Sequence, residues 1–225
     1  MNRVYPVGVV LAVLMFAAAP YLVMAAPDMQ VQGATPGVLL SYKIFFYHVP
    51  SAMVMFLAAF ICGIASAIYL FRARPGADHI AAAAAELVVL FGLIVLVTGP
   101  LWARKAWGVW WQWDARLTST LLMWMIFVAY LLVRRFGGPG AEKLSAAMAV
   151  FGTANVPFVY VSVNIWRTLH PATSVVPTLD PGMRPAFWFC VVSFMLLFGL
   201  LLALRTRLEQ RRAHVEQLYL LADED

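Results

Sequence analysis

Charged residues are scarce in this sequence. They make up 12% of the 225 residues, against 63% hydrophobic residues and a mean hydropathy of +0.82. Soluble domains carry about 25% charged residues, so this composition excludes an ordinary soluble domain and indicates an integral membrane protein. The net charge of +5 does not indicate a nucleic-acid partner, because no run of like charges forms a binding arm. We therefore expect a lipid bilayer around the chain and no nucleic acid among its partners.

Cysteine is equally sparse. Cys62 and Cys190 each stand inside an apolar run, and they form neither a CxxC pair nor a CxxCH attachment motif. This pattern excludes a thioredoxin-like redox pair, and we expect both residues to be small buried hydrophobic side chains. The sequence also lacks a G-x-x-x-x-G-K phosphate-binding loop, which excludes an ATPase of that type.

Long hydrophobic runs are abundant instead. Six of them are long enough for transmembrane helices of ~20 residues, and connectors containing Pro and Gly separate them. The first run exceeds the ~7–15 residues of a signal-peptide core, so we interpret it as a retained span. The expected fold is an all-α integral membrane protein, a single domain over 1–225 with a bundle of six transmembrane helices. The predicted spans cover 5–26, 44–71, 80–101, 118–133, 144–163 and 186–204.

Basic residues are distributed unequally over the connectors. Ten of the 16 Lys and Arg residues fall on the side that carries both termini, and six fall on the other side. The positive-inside rule places the richer side in the cytoplasm, so both termini are expected there. The residues 205–225 then form a charged helical tail in the cytoplasm. Three connectors lie outside the membrane on the opposite face: 27–43, 102–117 and 164–185.

The outer segment 102–117 is rich in tryptophan. A helix would place Trp107, Trp110, Trp111 and Asp114 on one face, whereas a strand would align alternate residues from Trp107 to Trp113, and the sequence leaves this choice open. An aromatic belt among lipid headgroups explains one or two such rings. Four within seven residues favour a surface that covers a flat apolar ligand. The five tryptophans of the segment are Trp102, Trp107, Trp110, Trp111 and Trp113.

The tryptophans are followed by two charged residues. Asp114 is a candidate N-cap of the next helix, and that helix is expected to begin within the motif. Arg116 is a candidate interfacial anchor or a residue that fixes the segment or its partner.

Two of the four histidines fall on the predicted outer side. His48 is expected about one turn inside Lys43, just before Pro50, and His170 follows the fifth span. Two imidazoles without nearby Cys or carboxylate ligands make a poor zinc site, which requires four ligands. They suit the two axial positions of a haem iron, because the porphyrin supplies the other four. Candidate partners for the haem propionates are the outer cations Lys43, Arg104, Lys105, Arg116 and Arg167.

Three short stretches resemble a known family. WGVWWQWDARLT, at 107–118, resembles the WWD motif of the haem-handling proteins of cytochrome c biogenesis. SYKIFFYHVPSA around His48 and WRTLHPAT around His170 resemble the two histidine segments of the CcmC family (haem exporter protein C). The resemblance covers spans two to six, and the length fits CcmC better than the longer CcmF and CcsA proteins.

This resemblance implies a function and a set of partners. A CcmC protein binds haem b without a covalent bond at the periplasmic face of the bacterial inner membrane, with the WWD segment against the ring. His48 and His170 match the two axial ligands, and Lys43 matches a position that is usually basic. The haem is then presented to the chaperone CcmE, with CcmD assisting and CcmA and CcmB releasing the loaded chaperone. The implied role is haem delivery and not enzymatic turnover.

The residues alone are compatible with two other functions. A membrane cytochrome that moves electrons would normally hold its histidine pairs on facing helices, whereas His170 is predicted in a connector. A transporter that moves haem through its spans would need ligands on the cytoplasmic side and polar residues within the membrane. Glu86 and Asn155 are the main polar residues in the spans, and we expect both to be structural.

Overall fold

The structure is a computed structural model that describes residues 4–29 and 35–222. The regular structure within these two ranges is helical throughout, with two short 3-10 turns at Tyr42–Ile44 and Thr173–Val175. The α-helices are α1 Val4–Ala25, α2 Pro36–Ser41, α3 Phe45–Arg72, α4 Pro75–Ala106, α5 Ala115–Phe136, α6 Ala141–Ile165 and α7 Arg184–Ala222.

Six helical segments in the described residues are long and apolar enough to cross a membrane, which confirms the predicted spans. The second segment includes α2, so it begins at Pro36, earlier than expected. The 39 residues of α7 would extend ~58 Å at 1.5 Å per residue, well beyond the ~30 Å hydrocarbon core. The predicted tail is therefore a continuation of the last helix as far as Ala222, and 223–225 lie outside the described residues.

The core of the bundle is formed around α3, which packs against α4, α6 and α7, while α5 packs against α6. Small residues allow these helices to approach closely. A Cβ atom added to Gly63 would lie 2.2 Å from Oγ1 of Thr153, and one added to Gly92 would lie 2.5 Å from the Trp124 ring. Such small-residue contacts are typical of helix packing in membranes. Cys62 and Cys190 are buried and unpaired in this core, as predicted.

Two carboxylates inside the helices are paired with arginines from other helices. Asp78 of α4 accepts two hydrogen bonds from Arg134 of α5, at 2.6 and 2.7 Å. Glu86 of α4 accepts two from Arg205 of α7. The amide nitrogen of Asn155 donates to the Ser119 carbonyl at 3.1 Å. Since Glu86 and Asn155 each join two helices, the structure agrees with their predicted structural role.

The three connectors predicted to lie outside come together at one end of the bundle. Tyr42, before α3, packs edge-on against Trp102 at the end of α4, with ring centroids 5.3 Å apart. Asp114 accepts a hydrogen bond from Thr168 in the connector after α6. A Cβ atom on Gly182, ahead of α7, would lie 3.0 Å from the Pro27 ring, after α1. This end of the molecule, which we call the connector end, holds every candidate site residue.

Candidate functional site

The tryptophan segment is neither a helix nor a strand. After α4 ends at Ala106, residues 107–114 follow an irregular path until α5 begins at Ala115, inside the motif as predicted. Gly108 turns the chain with φ = 78°, a conformation that side chains disfavour, and its carbonyl accepts a hydrogen bond from Arg104. Both regular arrangements considered for this segment are therefore wrong, because this turn interrupts the periodicity that either would need.

The indole rings form two groups on the connector end. Trp102 and Trp107 pack edge-on at 4.8 Å between centroids, and Trp111 and Trp113 pack edge-on at 5.7 Å. Trp110 and Trp113 are 57% and 77% exposed, which is unusual for such large apolar side chains. An open cleft of ≈ 240 Å³ lies between α4 and α5 beside the second group. Its lining residues are Leu96, Pro100, Trp111, Trp113 and Leu121.

Two indole N–H groups have no acceptor among the described residues. The Nε1 atoms of Trp102 and Trp111 are buried, yet neither donates a hydrogen bond. A buried donor without an acceptor costs about 1–3 kcal/mol, so such atoms call for an explanation. Trp111 also lines the open cleft.

His48 lies in the first turn of α3, with Pro50 inside the same helix. Its Nδ1 atom is 2.8 Å from Oγ1 of Thr98 on α4, one helical turn before Trp102. This contact links the second span to the helix that leads into the tryptophan segment. His48 also lies within electrostatic reach of both His170 and Arg116, so the structure brings the two predicted ligands to one region.

His170 is half-buried in the connector between α6 and α7. Its Nδ1 atom lies 2.9 Å from the backbone oxygen of Pro171. A carbonyl can only accept, so Nδ1 carries the proton and Nε2 keeps its lone pair. Burial lowers the pKa of His170 to about 4, and the charge of Arg116 acts in the same direction, while Asp114 opposes it. The imidazole is therefore neutral and able to bind a metal at pH 7.

Asp114 accepts hydrogen bonds from two different parts of the site, the start of α5 and the connector after α6. One carboxylate oxygen accepts from the backbone N–H of Leu117 at 2.8 Å, so Asp114 is the N-cap of α5, as predicted. The other oxygen accepts from the hydroxyl of Thr168, whose oxygen accepts in turn from the backbone N–H of His170 at 3.0 Å. The aspartate that ends the tryptophan segment thus holds the connector that carries His170. Sequence reasoning missed Thr168, and only its position two residues before His170 could have suggested it.

Arg116 is directed toward α6. Its Nη1 atom donates to the carbonyl oxygens of Val159 at 2.5 Å and Tyr160 at 3.2 Å. Its guanidinium carbon lies 6.0 Å from the centroid of the Phe56 ring on α3. Arg116 therefore joins the start of α5 to α6 and α3, and its positive charge remains close to both imidazoles.

Lys43 is placed differently from the other candidates. Its ammonium group donates to the carbonyl oxygens of Ala26 and Pro27, just after α1, and forms an ion pair with Asp28 at 3.1 Å. The side chain is only 11% exposed. These contacts hold the first connector against the 3-10 turn before α3. The structure thus gives Lys43 a local structural role, and its predicted contact with a propionate stays a prediction.

The ligands that this end of the molecule offers can be compared with those that a bare metal ion and a haem iron each require. No group of three or more His, Cys, Asp or Glu side chains suited to a bare ion occurs in the part of the chain that the structure describes. A structural zinc site requires four such ligands. A haem iron requires only two axial ligands from the protein, and its ring requires an apolar, aromatic surface. Two imidazoles at the same end of the molecule as an exposed indole surface therefore fit a haem and do not fit an isolated ion.

The helices and these contacts define a class of protein. The chain is a multi-pass α-helical membrane protein whose tryptophan-rich segment is hydrogen-bonded to the connector of one histidine. The helix that leads into the segment contacts a second histidine.

A family model described as "Heme exporter protein C", CcmC, matches residues 1–220. A relative of that name from Bradyrhizobium diazoefficiens is 34% identical over 224 residues, covering 96% of this chain and 83% of the relative. The Escherichia coli K12 protein of that name is 33% identical over 192 residues, covering 80% and 77%. A Marchantia polymorpha protein, described as a putative cytochrome c biosynthesis ccmC-like mitochondrial protein, is 32% identical over 170 residues, covering 74% and 73%. The chain belongs to the CcmC family.

Proposed function

We propose that this protein binds haem b non-covalently at the periplasmic face of the inner membrane and presents it to the chaperone CcmE for cytochrome c maturation. Membership of the CcmC family supports a role in haem handling within the membrane complex of the Ccm system. The observation that carries the proposal is the convergence of His48, His170 and the tryptophan segment at the connector end.

The two histidines supply the axial iron ligands in this proposal. The imidazole of His170 has its proton on Nδ1 and its lone pair on Nε2, which is the form that binds iron. His48 approaches the same region from α3. When bound, the haem would supply the Fe–N bonds and the visible absorbance, while the protein's residues hold it in place and oriented.

The tryptophans supply the apolar surface for the ring. Trp110 and Trp113 are exposed, and Trp111 lines the cleft with an unpaired N–H group. Covering each indole removes up to about 200 Å² from water, worth about 5 kcal/mol at 25 cal/mol/Å² as an upper bound. Trp102 and Trp107 pack against each other and complete the surface toward α3.

The charged residues have positioning roles. Asp114 fixes the connector of His170, and Arg116 fixes the start of α5. Propionates on the haem would meet the remaining cations of the connector end. Lys105 and Arg167 are exposed there, whereas Lys43, Arg104 and Arg116 each donate to protein carbonyl groups. We therefore favour Lys105 and Arg167 as the propionate partners.

The orientation and the partners follow from charge and from the family. The connector end carries fewer basic residues than the opposite end, which favours the periplasm for the connector end and the cytoplasm for both termini. Since the haem surface is on an exposed segment, a periplasmic chaperone such as CcmE can reach it directly. CcmA, CcmB and CcmD are the other partners that we expect in the membrane complex.

Haem binding is tested with purified protein in detergent. We expect His48→Ala and His170→Ala to lose the Soret absorbance of bound haem, because each removes one iron ligand. His214→Ala is the matched control, since His214 is exposed on the far part of α7 and should leave the spectrum intact. Wild-type spectra in both ligand variants would overturn the proposed site.

Orientation is tested with a membrane-impermeant thiol reagent on intact cells with a permeable outer membrane. Native Cys62 and Cys190 are buried, so a single introduced cysteine reports its own side. We expect Gln112→Cys, in the exposed tryptophan segment, to be labelled, and His214→Cys to be labelled only after the inner membrane is opened. The reverse pattern would place the haem surface in the cytoplasm and contradict the proposal.

A further inference from the structure

The contact between His48 and Thr98 decides which nitrogen of His48 can bind a metal. The Nδ1 atom of His48 lies 2.8 Å from Oγ1 of Thr98. A Cβ atom added to the neighbouring Gly99 would lie 3.4 Å from Cε1 of His48, so the imidazole ring lies directly against this turn of α4. The ring is therefore held by α4 on its Nδ1 side.

The direction of this hydrogen bond follows from counting protons. A threonine hydroxyl has one proton to donate. Oγ1 of Thr98 lies 2.7 Å from the carbonyl oxygen of Ile94, which can only accept, so the hydroxyl proton occupies that contact. Thr98 can then only accept at its 2.8 Å contact with His48, and Nδ1 of His48 must carry the proton.

We infer that Thr98 is a positioning residue that fixes His48 as the tautomer with its proton on Nδ1 and its lone pair on Nε2, the form ready to bind haem iron. The assignment of iron as the ligand's metal rests on the proposed function. Residues that hydrogen-bond to the second nitrogen of a metal-binding histidine fix its tautomer and its ring orientation and raise its basicity. The contact with Thr98 supports the first two of these effects, the tautomer and the ring orientation, through one hydroxyl group.

Each of the two histidines has an acceptor for a proton on Nδ1, but the two acceptors are of different kinds. His170 donates from Nδ1 to the backbone oxygen of Pro171, whereas His48 donates to a side chain. Both imidazoles thus present Nε2. Thr98 and Trp102 are also four residues apart on α4, so they lie on the same face of that helix. The side chain that orients His48 therefore belongs to the helix that carries Trp102, the first tryptophan of the segment 102–117.

The tautomer can be read without haem. In apo-protein labelled with ¹⁵N-histidine at pH 8, the resonances that vanish in His48→Gln belong to His48. We expect them to report a proton on Nδ1 in the wild type and in Thr98→Ser, and a shift toward a proton on Nε2 in Thr98→Val. A wild-type His48 with its proton on Nε2 would overturn the inference, even if Thr98→Val did not fold.

Haem affinity gives the second readout. Loss of such a hydrogen-bond partner typically weakens metal binding 10- to 100-fold, so we expect a loss of that order in Thr98→Val and recovery to near wild type in Thr98→Ser. Thr153→Val is the matched control, because its hydroxyl also donates to a helix carbonyl, that of Ala59 at 2.8 Å, and touches neither histidine. It should bind haem normally. Equal affinities in Thr98→Val and the wild type would refute the inference.

The test separates this inference from the proposed function. In a His48→Gln background, Thr98→Val should cause no further loss of haem, because Thr98 acts only through His48. If His48→Gln itself binds haem like the wild type, the proposed ligand is wrong, while the apo-protein resonances still decide the tautomer. If His48→Gln loses haem and Thr98→Val does not, the positioning role alone fails.

Discussion

Thr168→Val tests whether the tryptophan segment controls the position of His170. Thr168 donates to the carboxylate of Asp114 and accepts from the backbone N–H of His170. Valine has nearly the same shape and can make neither bond. The substitution leaves the N-cap bond from Leu117 to Asp114 intact, so α5 should keep its start. It therefore loosens the connector of His170 without removing a residue that faces the haem surface.

The expected magnitude follows from the bonds that are lost. A hydrogen bond to a charged group contributes about 1.5–3 kcal/mol. If haem binding must re-order the freed connector, this free energy is lost from the binding of haem. Since each 1.4 kcal/mol is a factor of ten, the dissociation constant of haem should rise by about 10- to 150-fold.

The assay is a haem titration of the apo-protein in detergent, followed by the Soret absorbance. Thr178→Val is the matched control, because Thr178 lies in the same connector and its hydroxyl donates to the Ser174 carbonyl at 2.8 Å, away from His170. Asp114→Ala should weaken binding at least as much, because it removes the N-cap bond of α5 as well as the bond to Thr168. The losses in Asp114→Ala and Thr168→Val should not add in full, since the two substitutions share the Thr168–Asp114 bond. A Thr168→Val affinity within twofold of the control would refute the proposed link.

Three further outcomes follow from the structure. Lys43→Ala should shorten the lifetime of the folded protein at elevated temperature, because it breaks the contacts that hold the first connector. The same substitution should change the haem affinity by less than about threefold. A large loss of affinity would instead support a contact between Lys43 and a propionate. Asp78→Asn leaves the charge of Arg134 unpaired and should cost about 3–5 kcal/mol of stability in thermal or denaturant unfolding, with an unchanged haem spectrum; normal stability would contradict the pairing. Because burial lowers the pKa of His170 to about 4, its imidazole should stay neutral in the apo-protein as the pH falls from 8 to 5.5, and the ¹⁵N resonances of its ring should not move over that range; a transition near pH 6.5 would indicate an ordinary histidine.

The fold could be predicted from the sequence because the membrane imposes a simple pattern. A helix that crosses it needs about 20 apolar residues, and the connectors carry Pro, Gly and charge, so the six spans are visible in the composition alone. The start of α5 was predictable too, since Asp114 is a good N-cap ahead of an apolar run. The side of the membrane remains a prediction from charge.

The details of the site depended on contacts between distant residues, which no local pattern encodes. The path of the tryptophan segment depends on the turn at Gly108, and a single glycine does not reveal its φ angle. The structural role of Lys43 depends on carbonyl groups at the end of α1. The links from Thr168 to Asp114 and from Thr98 to His48 join residues 54 and 50 positions apart. Their hydroxyls have no signature in the sequence.

Electron paramagnetic resonance of the ferric haem complex tests the central claim most directly. If His48 and His170 bind the iron together, the wild-type protein should show a low-spin, six-coordinate signal. Either single substitution by alanine should convert the haem that remains bound to a high-spin signal, whereas His214→Ala should stay low-spin. A low-spin signal that survives unchanged in both His48→Ala and His170→Ala would contradict the account.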